Sequence, residues 1–91
     1  MLGLEIDEVT INRDLCCEPH VDHNGGKSFI AFFCDYTGGQ LCFEYGKCVG
    51  GPGDRGKWHC FDGCDLHWNM PHFGSKLTVV AYPKTLPCRP L

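Results

Sequence analysis

Ser28 to Tyr45, SFIAFFCDYTGGQLCFEY, is the stretch whose reading decides the fold. Phe29, Ile30, Phe32, Phe33, Tyr36, Leu41, Phe43 and Tyr45 fall within it. β-Branched and aromatic side chains fit a pleated, half-buried surface, and Thr37-Gly38-Gly39 has the composition of a hairpin loop. The stretch therefore reads as two strands around a Gly-Gly turn. From Ser28 to Tyr36, apolar residues occupy both parities: Ile30, Phe32, Cys34 and Tyr36 on one, Phe29, Ala31 and Phe33 on the other. A strand with one wet face alternates, so this strand is expected to be covered on both sides.

On the N-terminal side, Leu4 to Ile11 alternates with one slip at Asp7-Glu8, which predicts a strand with a bulge. Asn12 to Asn24 is polar and predicts irregular chain, ending in an Asn24-Gly25 turn. On the C-terminal side comes a candidate binding loop, Gly50, Gly51, Pro52, Gly53, Asp54, Arg55 and Gly56. Its glycines and proline predict an irregular, mobile segment that displays Asp54 and Arg55 at its tip. Lys57 to Phe61 predicts a short strand, and Asp62 to Phe73 a compact aromatic segment with at most one helical turn. Ser75 to Tyr82 predicts a second firm strand, before Pro83, Pro87 and Pro90 close the chain. No segment shows a sustained 3.6-residue period, and alanine, the best helix former, occurs only at Ala31 and Ala81. The expected fold is all-β with at most one short helix. It has four to six strands in a small disulfide-stapled antiparallel sheet or barrel, as one domain over residues 1–91.

Ninety-one residues bury too little surface for the core alone to give ample stability. Eight cysteines, at Cys16, Cys17, Cys34, Cys42, Cys48, Cys60, Cys64 and Cys88, signal a disulfide scaffold. Such bridges persist in oxidising compartments, which predicts a secreted, extracellular protein. Met1 to Glu8 contains no apolar signal region, so the chain is expected to be a mature form with Met1 left from expression. No apolar run is long enough to span a membrane. A net charge of −3 argues against nucleic acid, whose binding needs a basic surface.

Cys17-x2-His20-x2-His23 and Cys60-x3-Cys64-x2-His67 have ligand types at short spacing, as zinc sites do. Neither has the paired C-x2-C spacing of ribbons or fingers. The plainer reading, four disulfides with no metal or cofactor, is adopted. Adjacent Cys16 and Cys17 should bridge to different partners, because a vicinal bond is strained. A three-residue loop at Thr37-Gly38-Gly39 would set Cys34 opposite Cys42. Cys88 is expected to anchor the tail.

His59, Asp62, Asp65 and His67 lie within nine residues and could supply acid–base chemistry to a small hydrolase or nuclease. No nucleophile motif accompanies them, and the plainer reading is a polar loop. Trp58 and Trp68 could stack on a sugar in a carbohydrate-binding module, or could simply cover disulfides and close the core.

The eight cysteines, the Cys16-Cys17 pair, the β-rich segments and the mild negative charge together resemble the small secreted cysteine-rich proteins of filamentous fungi. The resemblance is of pattern over the whole chain. It implies a non-enzymatic effector or elicitor of plant-host defence, or a protein that kills competing microbes. The implied partner is a host or competitor surface component, protein or glycan. The apolar pattern on both parities of the central strand adds the expectation of a homodimer formed through the sheet.

Overall fold

The computed structural model describes residues 8–21 and 27–82. Among them nine strands form: β1 (Glu8–Arg13), β2 (Lys27–Phe33), β3 (Tyr36–Gly38), β4 (Leu41–Phe43), β5 (Cys48–Val49), β6 (Trp58–Asp62), β7 (His67–Asn69), β8 (His72–Gly74) and β9 (Leu77–Tyr82). A 3-10 turn at Pro52–Asp54 is the only helical element among the described residues. The protein is all-β, as the sequence pattern requires. The strands are more numerous and shorter than the four to six expected. They make three antiparallel sheets, ordered β1-β9-β2-β6, β5-β4-β7 and β3-β8. No helix of the described residues is long and apolar enough to cross a membrane.

β2 sits inside the largest sheet, between β9 and β6. Its two-sided apolar pattern has a direct cause. Ile30 and Phe32 point into the core, while Ala31, on the other face, is 1% exposed between Val79 and Trp58. The core is Ile30, Phe32, Tyr36, Leu41, Phe43, Val49 and Phe61, with Val80 packed against it. It joins the inner face of the four-stranded sheet to the inner face of β5-β4-β7. Phe43 is the aromatic hub, with Tyr45, Phe61 and His67 rings between 5.4 and 5.9 Å from its own.

Ser28 to Tyr45 does not form a hairpin. β2 ends at Phe33, and Cys34 follows at φ +76°. That corner is held by Ser75 N–H donating to the Asp35 carbonyl, and it sends Tyr36–Gly38 onto β8 rather than back along β2. Gly38 and Gly39 then turn the chain past Pro71, whose carbonyl accepts from Gly39 N–H at 2.9 Å. A Cβ on Gly38 would sit 2.4 Å from that carbonyl oxygen, so only glycine passes there. Cys42 consequently faces Cys48 and Trp68, not Cys34.

The remaining expectations divide the same way. The first strand is present but runs on to Arg13, and residues 4–7 lie outside the described residues. β6 and β9 fall where the sequence placed strands, whereas Asp62 to Phe73 holds two short strands and no helical turn. The Asn24-Gly25 turn, the proline-rich tail and Cys88 lie outside the described residues.

Candidate functional site

Alternation along the four-stranded sheet sorts its side chains onto two faces. The inner face carries Thr10 and Asn12 from β1, Thr78, Val80 and Tyr82 from β9, Ser28 and Ile30 from β2, and Phe61 from β6. Opposite them lie Leu41 of β4 and His67 and Asn69 of β7, with Leu15, Cys17 and His20 from the connection after β1. That connection is held by a two-way backbone pair between His20 and His67, at 2.9 and 3.0 Å. Asn69 reinforces it, its N–H donating to the Cys17 carbonyl and its Oδ1 accepting from Cys17 N–H, both at 3.0 Å. Between these walls is a cavity of about 220 Å³.

The polar groups of the cavity are hydroxyls, amides and imidazoles. Thr10 Oγ1 and the Tyr82 hydroxyl are hydrogen-bonded at 3.1 Å. His20 Nδ1 lies 2.7 Å from the Glu18 carbonyl, and His67 Nδ1 lies 2.6 Å from the Asp65 carbonyl. A carbonyl only accepts, so each ring carries a proton on Nδ1. The two rings are 4.4 Å apart. Ser28 is 1% exposed, and its Oγ has no hydrogen-bond partner among the described residues.

The acid–base candidates are built into the fold separately. His67 is 3% exposed and packs on Phe43 and Phe61. His59 sits beside Ile30, with its ring edge toward Phe32 and Nε2 at 3.4 Å from the Asp54 carbonyl. Asp62 closes a turn by accepting from Cys64 N–H at 2.9 Å and from Asp65 N–H through its backbone carbonyl at 3.1 Å. Trp58 and Trp68 do not share a platform. Trp58 is on the outer face of the four-stranded sheet, opposite Ala31, while Trp68 is on the outer face of β5-β4-β7, opposite Cys42.

The Gly50 to Gly56 loop is ordered by specific partners, contrary to the irregular segment expected. The Tyr36 hydroxyl donates to the Gly50 carbonyl at 2.7 Å, and Gly50 N–H donates to Asp54 Oδ2 at 3.0 Å. Pro52, Gly53 and Asp54 form the 3-10 turn, closed by Asp54 N–H on the Gly51 carbonyl. Gly56 N–H reaches the Phe32 carbonyl at 2.9 Å. Arg55 lies over the Tyr36 ring at 4.7 Å, donates to the Tyr36 carbonyl and pairs with Asp35 at 3.4 Å. Asp54 and Arg55 therefore both bond back to the fold from this loop.

Among the described residues no group of three or more His, Cys, Asp or Glu side chains is placed to hold a metal ion. Cys64 is disulfide-bonded. Cys42 and Cys48 face each other as thiols across β4 and β5. Burial, and secondly the neighbouring Cys48, push the Cys42 thiol up to about 11. Cys16 donates weakly to the Asn69 and Met70 carbonyls, and the Cys34 and Cys60 thiols are exposed. Cavity residues such as Thr10, Asn12 and Thr78 went unread in the sequence. Their only signal there is a polar parity within two otherwise apolar strands.

The other face of the four-stranded sheet is apolar through its middle. Its cross-strand rows are the charged pair Lys27 and Asp62, then Val9, Ala81, Phe29 and Cys60, then Ile11, Val79, Ala31 and Trp58, then Arg13, Leu77 and Phe33. Val9 is 59% exposed, Ile11 66%, Trp58 49% and Phe33 36%. No family model matches the chain, and no curated protein or solved structure matches it either.

Proposed function

We propose that this protein is a secreted, non-enzymatic cysteine-rich effector or elicitor of host defence that works by surface contact. The observation that carries the reading is the open outer face of the four-stranded sheet. Val9, Ile11, Phe33 and Trp58 lie on that one face, whose charged side chains among the described residues are Arg13 at one end and Lys27 and Asp62 at the other. Contiguous exposed apolar area of this kind marks interaction sites rather than ordinary surface. The cysteine content and the bridge at Cys64 support an oxidising, extracellular setting. The partner is a host surface component. The test is binding of labelled protein to intact plant tissue, comparing wild type with Ile11→Lys and Trp58→Ala. Loss of binding in both variants is expected, and equal binding by all three proteins would overturn the reading.

A second reading uses the same face. Its apolar middle rows are complementary to themselves, so two copies could bury them in a two-fold contact. Light scattering behind size exclusion separates the two. A mass near the chain's 10.2 kDa at all concentrations leaves the face to a foreign partner, and twice that mass assigns it to a second copy.

A further inference from the structure

The geometry points to the cavity between the sheets as a binding site for a small uncharged molecule, with an apolar body about the size of one ring and one or two hydroxyl or carbonyl groups. This site is on the opposite side of the four-stranded sheet from the contact face, and the inference does not depend on that face.

Size is the first argument. An engineered apolar cavity of about 150 Å³ accepts benzene, whereas one water takes up about 30 Å³ of liquid. A space of about 220 Å³ is too large for one water and fits a substituted ring. Polarity is the second. Leu15, Ile30, Leu41, Phe61 and Val80 supply apolar lining, while Thr10, Ser28, Thr78 and Tyr82 bring hydroxyls to the sheet side. Water would be poorly bonded against the apolar lining, and a ligand with one polar end matches both. Charge is the third. No Asp, Glu, Lys or Arg is among the described lining residues, so an ion would be desolvated without a counter-charge.

Ser28 turns a space into a site. It lines the cavity, is 1% exposed, and its hydroxyl has no partner among the described residues. A buried hydroxyl without a hydrogen bond carries an uncompensated desolvation cost, which a ligand oxygen or N–H at that point would remove. Alanine would fill the same strand position without that cost. Ser28 is registered opposite Phe61 of β6, on a strand that runs between β9 and β6, so the sheet sets its position before any ligand arrives.

The test is a heteronuclear NMR titration of the whole oxidised chain with three probes of one shape: benzyl alcohol, toluene and benzoate. Benzyl alcohol is expected to give saturable shifts at Ser28, Thr78 and Val80, and benzoate none. Ser28→Ala should weaken benzyl alcohol about five- to tenfold, the worth of one hydrogen bond, and leave toluene unchanged. Val80→Phe, which fills the cavity, should abolish binding of both. If Val80→Phe does not fold, Ser28→Ala decides alone, since it removes a single oxygen. Absence of saturable shifts with benzyl alcohol up to its solubility limit would overturn the inference, as would equal weakening of alcohol and toluene by Ser28→Ala. Neither result bears on the outer face, whose variants leave the cavity lining intact.

Discussion

Gly50→Ala isolates how tightly the loop after β5 is seated on the core. Gly50 has φ +94°, and a Cβ there would lie 2.6 Å from both Cε2 and Cζ of Phe32 and 2.9 Å from Cδ2. Carbon atoms pack best at about 3.5–4.0 Å. Phe32 is 0% exposed at the centre of the core and cannot withdraw without moving its neighbours. Two costs therefore add. The left-handed backbone costs a non-glycine residue about 1–2 kcal/mol. Overpacking a full core costs about 1–3 kcal/mol. Gly46 supplies the control: its φ is +98°, but a Cβ there meets nothing within 4 Å. Gly46→Ala should show the backbone cost alone, and Gly50→Ala should exceed it by about 1–3 kcal/mol. Urea unfolding of the oxidised proteins, read at unchanged m-value, measures both. In a double-mutant cycle, Phe32→Leu should recover part of the excess and none of the Gly46→Ala loss. Equal destabilisation by the two alanines would refute the reasoning, because it would mean that the loop does not press on Phe32.

Three further outcomes are expected. Lys76 is 1% exposed, with Nζ at 3.3 Å from the Gly39 carbonyl, and burial holds its amine below the usual 10.5. The folded state therefore penalises the charge at neutral pH and is relieved as pH rises toward 10.5. Lys76→Met should match or exceed wild type by up to about 2 kcal/mol at pH 7 and should lack the alkaline gain in urea unfolding. Asp14 accepts from Lys76 N–H at 2.8 Å, which, helped by His72 at 3.4 Å, holds its carboxyl below 3.8. That contribution is complete above pH 3.8 and is lost as pH falls through the folded value, so Asp14→Asn should make the acid limb of the stability–pH curve shallower. Cys42 and Cys48 occupy the pair next to Phe43 and Lys47, whose backbone hydrogen bond is 2.8 Å. This makes the cysteines a non-hydrogen-bonded pair, close enough for a disulfide. With a disulfide donor such as oxidised glutathione, peptide mapping of the refolded protein should recover a Cys42–Cys48 bridge. Either cysteine linked to Cys34 would contradict the register.

What could be read from the sequence depended on the range of the interaction. β9 and the apolar character of both faces of β2 were legible because strand period and apolar parity are properties of the residues themselves, although the outer face, at Phe33, is exposed and not covered. The hairpin at Thr37-Gly38-Gly39 was misread because the same glycines serve a close approach to Pro71, 32 residues beyond Gly39 in the chain. The Gly50 to Gly56 loop was misread for a like reason: Tyr36, Asp35 and Phe32 hold it, and none is adjacent to it in sequence. The cavity was invisible because Thr10, Ser28, Leu41 and Thr78 come from four separate segments. The outer face was half legible. The parity of Phe29, Ala31 and Phe33 implied a second apolar surface, but which strands would extend it depended on the order β1-β9-β2-β6.

We propose that the protein acts by contact through the outer sheet face. The most direct test is the oxidative burst of host leaf tissue exposed to wild type, Ile11→Lys and His59→Ala, each first shown to be folded by its unfolding midpoint. Ile11 is 66% exposed, so its replacement should alter the contact without disturbing the core. Wild type and His59→Ala are expected to elicit the same response and Ile11→Lys to need about tenfold more protein, as for loss of a contact worth about 1.4 kcal/mol. A full response to Ile11→Lys, or its abolition in His59→Ala, would contradict action through this face.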